Sequence, residues 1–179
     1  MVSLDIIFWM FIILFAIIGG MRGWAREILV TFSSILALFI LSVMEKFVPF
    51  VRDSLLLGNA TELFWLRAAV LGALVFFGYQ TPKIPRIAAT NRFIKDTFQD
   101  ILLGTFIGAI NGYLIFGSLW YFMHQANYPF AMISAPNPME PLTLKAFELI
   151  KFLPPAWIGP PMIYFAIAIS FIFVLVVLV

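Results

Sequence analysis

Hydrophobic residues fall in five long runs, which are separated by stretches containing charged residues, glycine and proline. The runs cover residues 4–20, 28–44, 63–79, 101–123 and 162–179. A helix needs roughly 17–25 residues to cross the hydrocarbon core of a bilayer, so each run is long enough to span it. Lipid cannot satisfy open backbone groups, and the alternation of barrel strands is absent. The pattern predicts an all-α, polytopic integral membrane protein with a single membrane domain over residues 1–179.

Composition supports a lipid environment. Of the 179 residues, 63% are hydrophobic and 11% are charged, whereas soluble domains have about 45–50% apolar and about 25% charged residues. The net charge is only +2, and the basic residues lie mainly between the hydrophobic runs. This distribution argues against a nucleic-acid-binding face. The absence of cysteine excludes disulfides and thiol chemistry.

The first two connections differ in length. A short turn joins the first two spans and is expected to make them an antiparallel hairpin. No basic residue precedes the first span and no small-residue cleavage site follows it, so we expect it to be retained as an anchor. Residues 45–62 mix apolar and charged positions, which predicts a segment along the membrane surface. Asn59 or Thr61 is expected to cap the third helix.

The third and fourth connections also predict surface helices. Apolar residues recur at helical spacing from about Ile87 towards the fourth span, which predicts an amphipathic lead-in helix. The connection over residues 124–161 is rich in proline, and residues 142–153 within it form a short amphipathic pattern. We therefore expect a short interfacial helix there.

Basic residues between the spans predict the orientation. The first and third connections hold six lysines and arginines, and the second and fourth hold four. Because the more basic loops remain in the cytoplasm, the N-terminus is predicted to lie outside and the C-terminus inside.

Glycines recur every four residues in the fourth span, at Gly104, Gly108 and Gly112. This spacing places them on one helix face, where a second helix can approach closely. We favour a packing seam within the chain over a homo-oligomer interface. Asn111 lies at mid-span and is expected to form a hydrogen bond across the seam, because an unpaired amide in hydrocarbon is costly.

Charged residues at the span ends are candidate contact sites. Arg67 lies one turn inside the third span, and we favour snorkelling to the interface over pairing with a buried acid or a lipid phosphate. Glu62 is a partner only if the helix begins before it. Arg22, Arg26 and Glu27 form either a solvated turn or a contact with lipid headgroups or a partner protein; both interpretations stay open.

The remaining polar residues suggest no catalytic chemistry. Asp5 and Asp100, like Glu27, lie at span ends, which is typical of interfacial or helix-terminal charges rather than a proton relay. His124 is the single histidine and is interpreted as an interfacial residue rather than a metal or pigment ligand. The sequence has no nucleophile set, metal cluster or phosphate loop. We expect neither enzymatic activity nor a cofactor.

Three features together resemble a known family: Asp5 at the start of the first span, the RG-x-x-RE turn from Arg22 to Glu27, and Asp100 followed by the glycine series. They are similar to the colicin V production family over about residues 1–123. The resemblance implies a small bacterial inner-membrane protein, usually with four spans, linked to colicin V secretion or envelope maintenance. It brings no catalytic mechanism. The proline-rich connection and the fifth span depart from the family pattern.

Three functional hypotheses follow. The leading one is a non-catalytic inner-membrane scaffold or interaction protein, with membrane lipids, other transmembrane proteins or a second copy as partners. The alternative is an accessory transmembrane subunit of a larger complex, such as a respiratory or photosynthetic assembly. The third is a small transporter or channel, for which only Thr31, Ser33 and Ser34 offer a polar lining in the second span.

Overall fold

The computed structural model describes residues 4–55, 58–80, 97–130 and 141–178, together with 132, 133, 135–137 and 139. Its α-helices are α1 (Leu4–Arg22), α2 (Trp24–Phe47), α3 (Ala60–Tyr79), α4 (Thr97–Gln125), α5 (Pro141–Leu149), α6 (Pro154–Trp157) and α7 (Met162–Leu178). A π-helix, Phe50–Leu55, follows α2, and a 3-10 turn, Ile150–Phe152, follows α5.

The long helices α1 to α4 are each apolar and long enough to cross a membrane. Helix α7 has the same apolar character and 17 residues, which is the lower end of the length that spans a bilayer. The chain is therefore an all-α polytopic membrane protein, as its hydrophobic pattern predicts. The structure extends the predicted spans by a few residues at the ends of α1 to α4.

The packing of α1 differs from the expected simple hairpin. Although a short turn links α1 to α2, the main contact of α1 is with α4. Phe8 packs edge-on to Trp120, and Phe11 stacks on Phe116 with ring centroids 3.6 Å apart. Later residues of α1 therefore meet earlier residues of α4, so the two helices run antiparallel.

Helix α2 lies at the centre of the bundle and packs against α3, α4 and α7. Its apolar residues Val30, Ala37 and Leu41 are buried in the main core, together with Leu71 of α3 and Leu114 of α4. By contrast, α1 and α7 present many large apolar side chains outward, as expected of surfaces in contact with lipid. The central position of α2 decides where its polar residues end up.

The connections bear on three predictions. Asn59 rather than Thr61 caps α3, with its Oδ1 accepting from the Glu62 N–H at 3.4 Å. The short helix expected after the fourth span is present as α5 and its 3-10 extension. The amphipathic helix predicted from about Ile87 lies outside the described residues. On the exposed side of the π-helix, hydrogen bonding by Arg52 lowers the pKa of Asp53.

Candidate functional site

The turn between α1 and α2 depends on Gly23. This residue has φ +86°, a conformation that L side chains rarely adopt. A Cβ at this position would also lie 2.7 Å from Asp100 Oδ2. Asp100 Oδ1 accepts a hydrogen bond from the Trp24 N–H at 3.2 Å, which supplies a negative group at the start of α2. Gly23 and Asp100 thereby fix the turn against the start of α4.

Five residues around this turn form what we term the hairpin cluster: Arg22, Glu27, Thr31, Tyr79 and Asn111. Glu27 has no exposed surface. Its Oε1 accepts from Arg22 Nη1 at 2.7 Å, and its Oε2 accepts from Asn111 Nδ2 at 2.8 Å. Of the two roles predicted for Glu27, the interfacial charge is therefore wrong, and the charge near a helix N-terminus is confirmed. It lies in the first turn of α2, but α4 covers that turn and brings Asn111 to the carboxylate.

Asn111 is also fully buried and uses both ends of its amide. Besides the carboxylate of Glu27, its Nδ2 donates to the Glu27 backbone carbonyl at 3.0 Å. Thr31 Oγ1 donates to Asn111 Oδ1 at 2.7 Å. The expected interhelical hydrogen bond is thus present, but its partner is α2, whereas the glycines of the same helix face α1. Asn111 contacts a different helix from the glycines because its position on α4 is rotated away from that of Gly108.

Arg22 extends the hairpin cluster to α3. Its Nη2 donates to the Tyr79 carbonyl oxygen at 3.2 Å, and the guanidinium carbon lies 4.3 Å from the centroid of the Tyr79 ring. The side chain therefore links the ends of α1 and α3 to Glu27 of α2. Arg26, on the same turn, is exposed. Of the two arginines of the motif, one is engaged within the bundle and the other faces outward.

The glycine seam, which comprises Gly19, Gly104, Gly108 and Gly112, is the contact between α1 and α4. A Cβ at Gly19 would lie 2.7 Å from Gly108 Cα, and a Cβ at Gly108 would lie 2.9 Å from Gly19 Cα. Gly104 meets the Gly19 backbone, and Gly112 meets the side chain of Phe15. The structure places the predicted glycines within one chain, against α1. Gly19 is the partner that the spacing in the fourth span could not identify.

A second polar group, the Arg67 cluster, lies at the opposite end of the bundle and comprises Arg67, Glu45 and Gln125. Arg67 Nε donates to Glu45 Oε1 at 2.7 Å, and its Nη1 donates to Gln125 Oε1. The residue is only 6% exposed, so the preference for snorkelling is wrong. Glu62 bonds instead to the Asn59 side chain. Residue 45, at the end of α2, supplies the acid because α2 and α3 pack together.

A cavity of about 320 Å³ opens beside the Arg67 cluster. It is lined by α2, α3 and α4 and by the segment from Pro155 to Ile163. Both Arg67 and Glu45 contribute to its wall, as does Lys46. The hairpin cluster contributes none of its residues to this cavity. A ligand in this cavity could therefore reach the Arg67 cluster but not the hairpin cluster.

Asp5 and His124 belong to neither cluster. Asp5 borders a shallow pocket of about 300 Å³ together with Lys145 and Glu148. The His124 ring packs edge-on to Tyr128, with centroids 5.7 Å apart. Within the ranges that the structure describes, no three histidine or acidic residues are grouped to hold a metal ion.

No family model, curated protein or solved structure matches this chain. The interpretation of the two clusters therefore depends on their geometry and chemistry alone.

Proposed function

We propose that this chain is a non-catalytic scaffold and interaction protein of the bacterial inner membrane, comparable in role to the colicin V production family that its first 123 residues resemble. The proposal includes the predicted orientation, with the turn between α1 and α2 on the cytoplasmic side. Secretion or envelope maintenance is the process in which such a scaffold would act.

The single observation that carries this proposal is that the two arginines of the turn have different surroundings. Arg22 is bound to Glu27 and Tyr79, whereas Arg26 is exposed four residues later. A turn held by Gly23, Asp100 and the buried ion pair presents Arg26 from a rigid support. An exposed guanidinium can bind a carboxylate or phosphate through two parallel hydrogen bonds. The turn therefore suits contact with a partner protein at the membrane surface.

The channel hypothesis is weakened by the polar residues of α2. Ser33 Oγ donates to the Leu29 carbonyl and Ser34 Oγ to the Val30 carbonyl, both at 2.9 Å. Thr31 is occupied by Asn111. Hydroxyl groups that bond within their own bundle contribute to helix packing rather than to a hydrated path.

Helix α7 favours a second candidate, the accessory subunit of a larger membrane complex. Its main contact is with α2, and large side chains such as Phe165, Ile169 and Phe173 are more than half exposed. A peripheral apolar helix of this kind would suit docking to another transmembrane protein. Lipid would cover the same surface equally well, so this hypothesis ranks second.

Cross-linking in the native host tests the proposal. The tagged chain would be compared with Arg26→Gln and, as a matched control, Lys151→Gln, which removes an exposed positive charge at the other end of the bundle. Quantitative mass spectrometry of the cross-linked complexes should show a several-fold loss of specific partners for Arg26→Gln and no loss for Lys151→Gln.

The outcomes separate the three hypotheses. Equal recovery of the same partners from Arg26→Gln and wild type would refute the proposed role of the turn. Stoichiometric partners that depend on α7 and not on Arg26 would support the accessory subunit instead. Substrate flux in liposomes that contain only this chain would favour the transporter.

A further inference from the structure

The cavity beside the Arg67 cluster has a polar end and an apolar end. Its α2 wall is built from Leu38, Leu41, Ser42, Glu45 and Lys46, which recur at helical spacing on one face. From the first to the last, they extend about 12 Å along the helix axis at 1.5 Å per residue. The wall therefore passes from hydrocarbon-like side chains within the span to charged side chains at its end.

The opposite walls follow the same gradient. Arg67 and Gln125 lie at the polar end, and Ile163 at the start of α7 supplies apolar surface. A cavity of about 320 Å³ is at the lower end of the range for small-ligand pockets, roughly 300–1,000 Å³, so it would hold a head group and part of one chain, with the remainder of a lipid outside it. The lining is complementary to an amphiphile whose polar head lies near Arg67 and whose hydrocarbon tail lies along α2.

Charge selects the kind of head group. The charged side chains in the lining are Glu45, Lys46 and Arg67. Glu45 neutralises Arg67 through their 2.7 Å ion pair, so Lys46 leaves an excess of one positive charge. The two hydrogen bonds of Arg67 use two of the five N–H groups that a guanidinium carries. This excess of positive charge, together with the N–H groups left on the guanidinium, attracts the phosphate of an anionic lipid head group.

We propose that this cavity is a binding site for an anionic phospholipid, whose phosphate lies against Lys46 and Arg67 and whose acyl chain follows Leu38, Leu41 and Ile163. The site is separate from the turn that carries Arg26. A lipid bound there would contact α2, α3, α4 and the segment before α7 together. It would thereby join the last helix to the core of the bundle.

Native mass spectrometry tests the site on the full-length protein, purified in a non-ionic detergent and freed of lipid. The probes are phosphatidylglycerol and phosphatidylcholine with identical acyl chains. We expect phosphatidylglycerol to be retained by a several-fold larger fraction of the protein. Lys46→Gln should lower that fraction several-fold, while Lys151→Gln should leave it unchanged.

A space-filling pair of variants tests the location. Gly159 lines the cavity, and a Cβ there would meet only the Pro155 carbonyl oxygen, at 3.7 Å. Gly159→Leu should therefore fold and occupy the cavity, which would reduce phosphatidylglycerol retention several-fold. Gly72→Leu is the control, because nothing lies within 4 Å of a Cβ at that position. Retention by this control should equal that of wild type.

Three results would overturn the proposal. The first is equal retention of the two lipids, and the second is an equal effect of the cavity variants and their controls. The third is displacement of phosphatidylglycerol by an equimolar amount of inorganic phosphate, which would show that the acyl chain adds nothing to the affinity. Continued retention in the presence of inorganic phosphate supports a lipid as the ligand.

Discussion

The two polar clusters contain the same three chemical groups in different surroundings. Each has an arginine, a glutamate and a side-chain amide: Arg22, Glu27 and Asn111 at one end, and Arg67, Glu45 and Gln125 at the other. In the hairpin cluster, the carboxylate side chain is 0% exposed. In the Arg67 cluster, the carboxylate side chain is 26% exposed and borders a cavity.

This difference indicates what each cluster can do. A buried carboxylate that accepts hydrogen bonds on both oxygens has no room for a further ligand, so its role is to hold helices together. A similar ion pair beside an open cavity can still receive another charged group. The functional distinction thus comes from access rather than from residue type. Four comparisons of paired variants test this view.

The largest effect is expected from Glu27→Ala compared with Glu45→Ala. Removing Glu27 leaves Arg22 and Asn111 without their buried partner, and breaking such a pair costs about 3 kcal/mol or more. Glu45→Ala should cost less, about 2 kcal/mol, because Arg67 keeps its hydrogen bond to Gln125 and borders a cavity that water can enter. Free energies of unfolding, measured by titrating the detergent-solubilised protein with a denaturing detergent, compare the two. Equal losses would contradict the view that the end of the bundle with the hairpin cluster is closed and the end with the Arg67 cluster is open to a further ligand.

The glycine seam provides the next comparison, because it holds α4 against α1 beside the hairpin cluster. In Gly108→Ala the new Cβ would meet the Phe15 carbonyl and the Gly19 backbone. Neither can move without shifting α1, so we expect a loss of about 2 kcal/mol from overpacking. Gly72→Ala enters open space and should be neutral or slightly stabilising. The same unfolding titration measures both, and a tolerated Gly108→Ala would refute the close helix approach.

Sequence reasoning recovers the features that depend on neighbouring positions. Hydrophobic runs predicted the helices to within a few residues, and glycine spacing predicted a close helix contact. Sequence reasoning did not predict the burial of Glu27 and Arg67, because that burial depends on which other helices cover them. Glu27 lies in the first turn of α2, where a charge is typically exposed, and the packing of Arg22 and of α4 encloses it. A usable signal was Asn111, since a mid-span amide requires a polar partner.

The two amides offer a smaller comparison. Asn111→Leu should cost about 1 kcal/mol, in line with hydrogen bonds between membrane helices, because it removes one donor to Glu27. Gln125→Leu should cost less, since Gln125 is exposed and water can replace its bond to Arg67. A double-mutant cycle of Asn111→Leu with Glu27→Gln isolates the interaction. A coupling energy near zero would show that the buried amide and carboxylate act independently.

The smallest effect on the free protein is expected for Lys46→Gln. This variant tests most directly whether the end with the Arg67 cluster binds lipid. Lys46 is exposed and the ion pair between Arg67 and Glu45 persists without it, so unfolding in detergent alone should change by less than about 0.5 kcal/mol. Phosphatidylglycerol should raise the thermal midpoint of wild type and raise it less in Lys46→Gln, because a ligand stabilises the fold that binds it. In Arg26→Gln the full increase should remain, since Arg26 lies at the opposite end. If Arg26→Gln lost the increase and Lys46→Gln kept it, the lipid site would belong to the turn, and the assignment of the open end would be wrong.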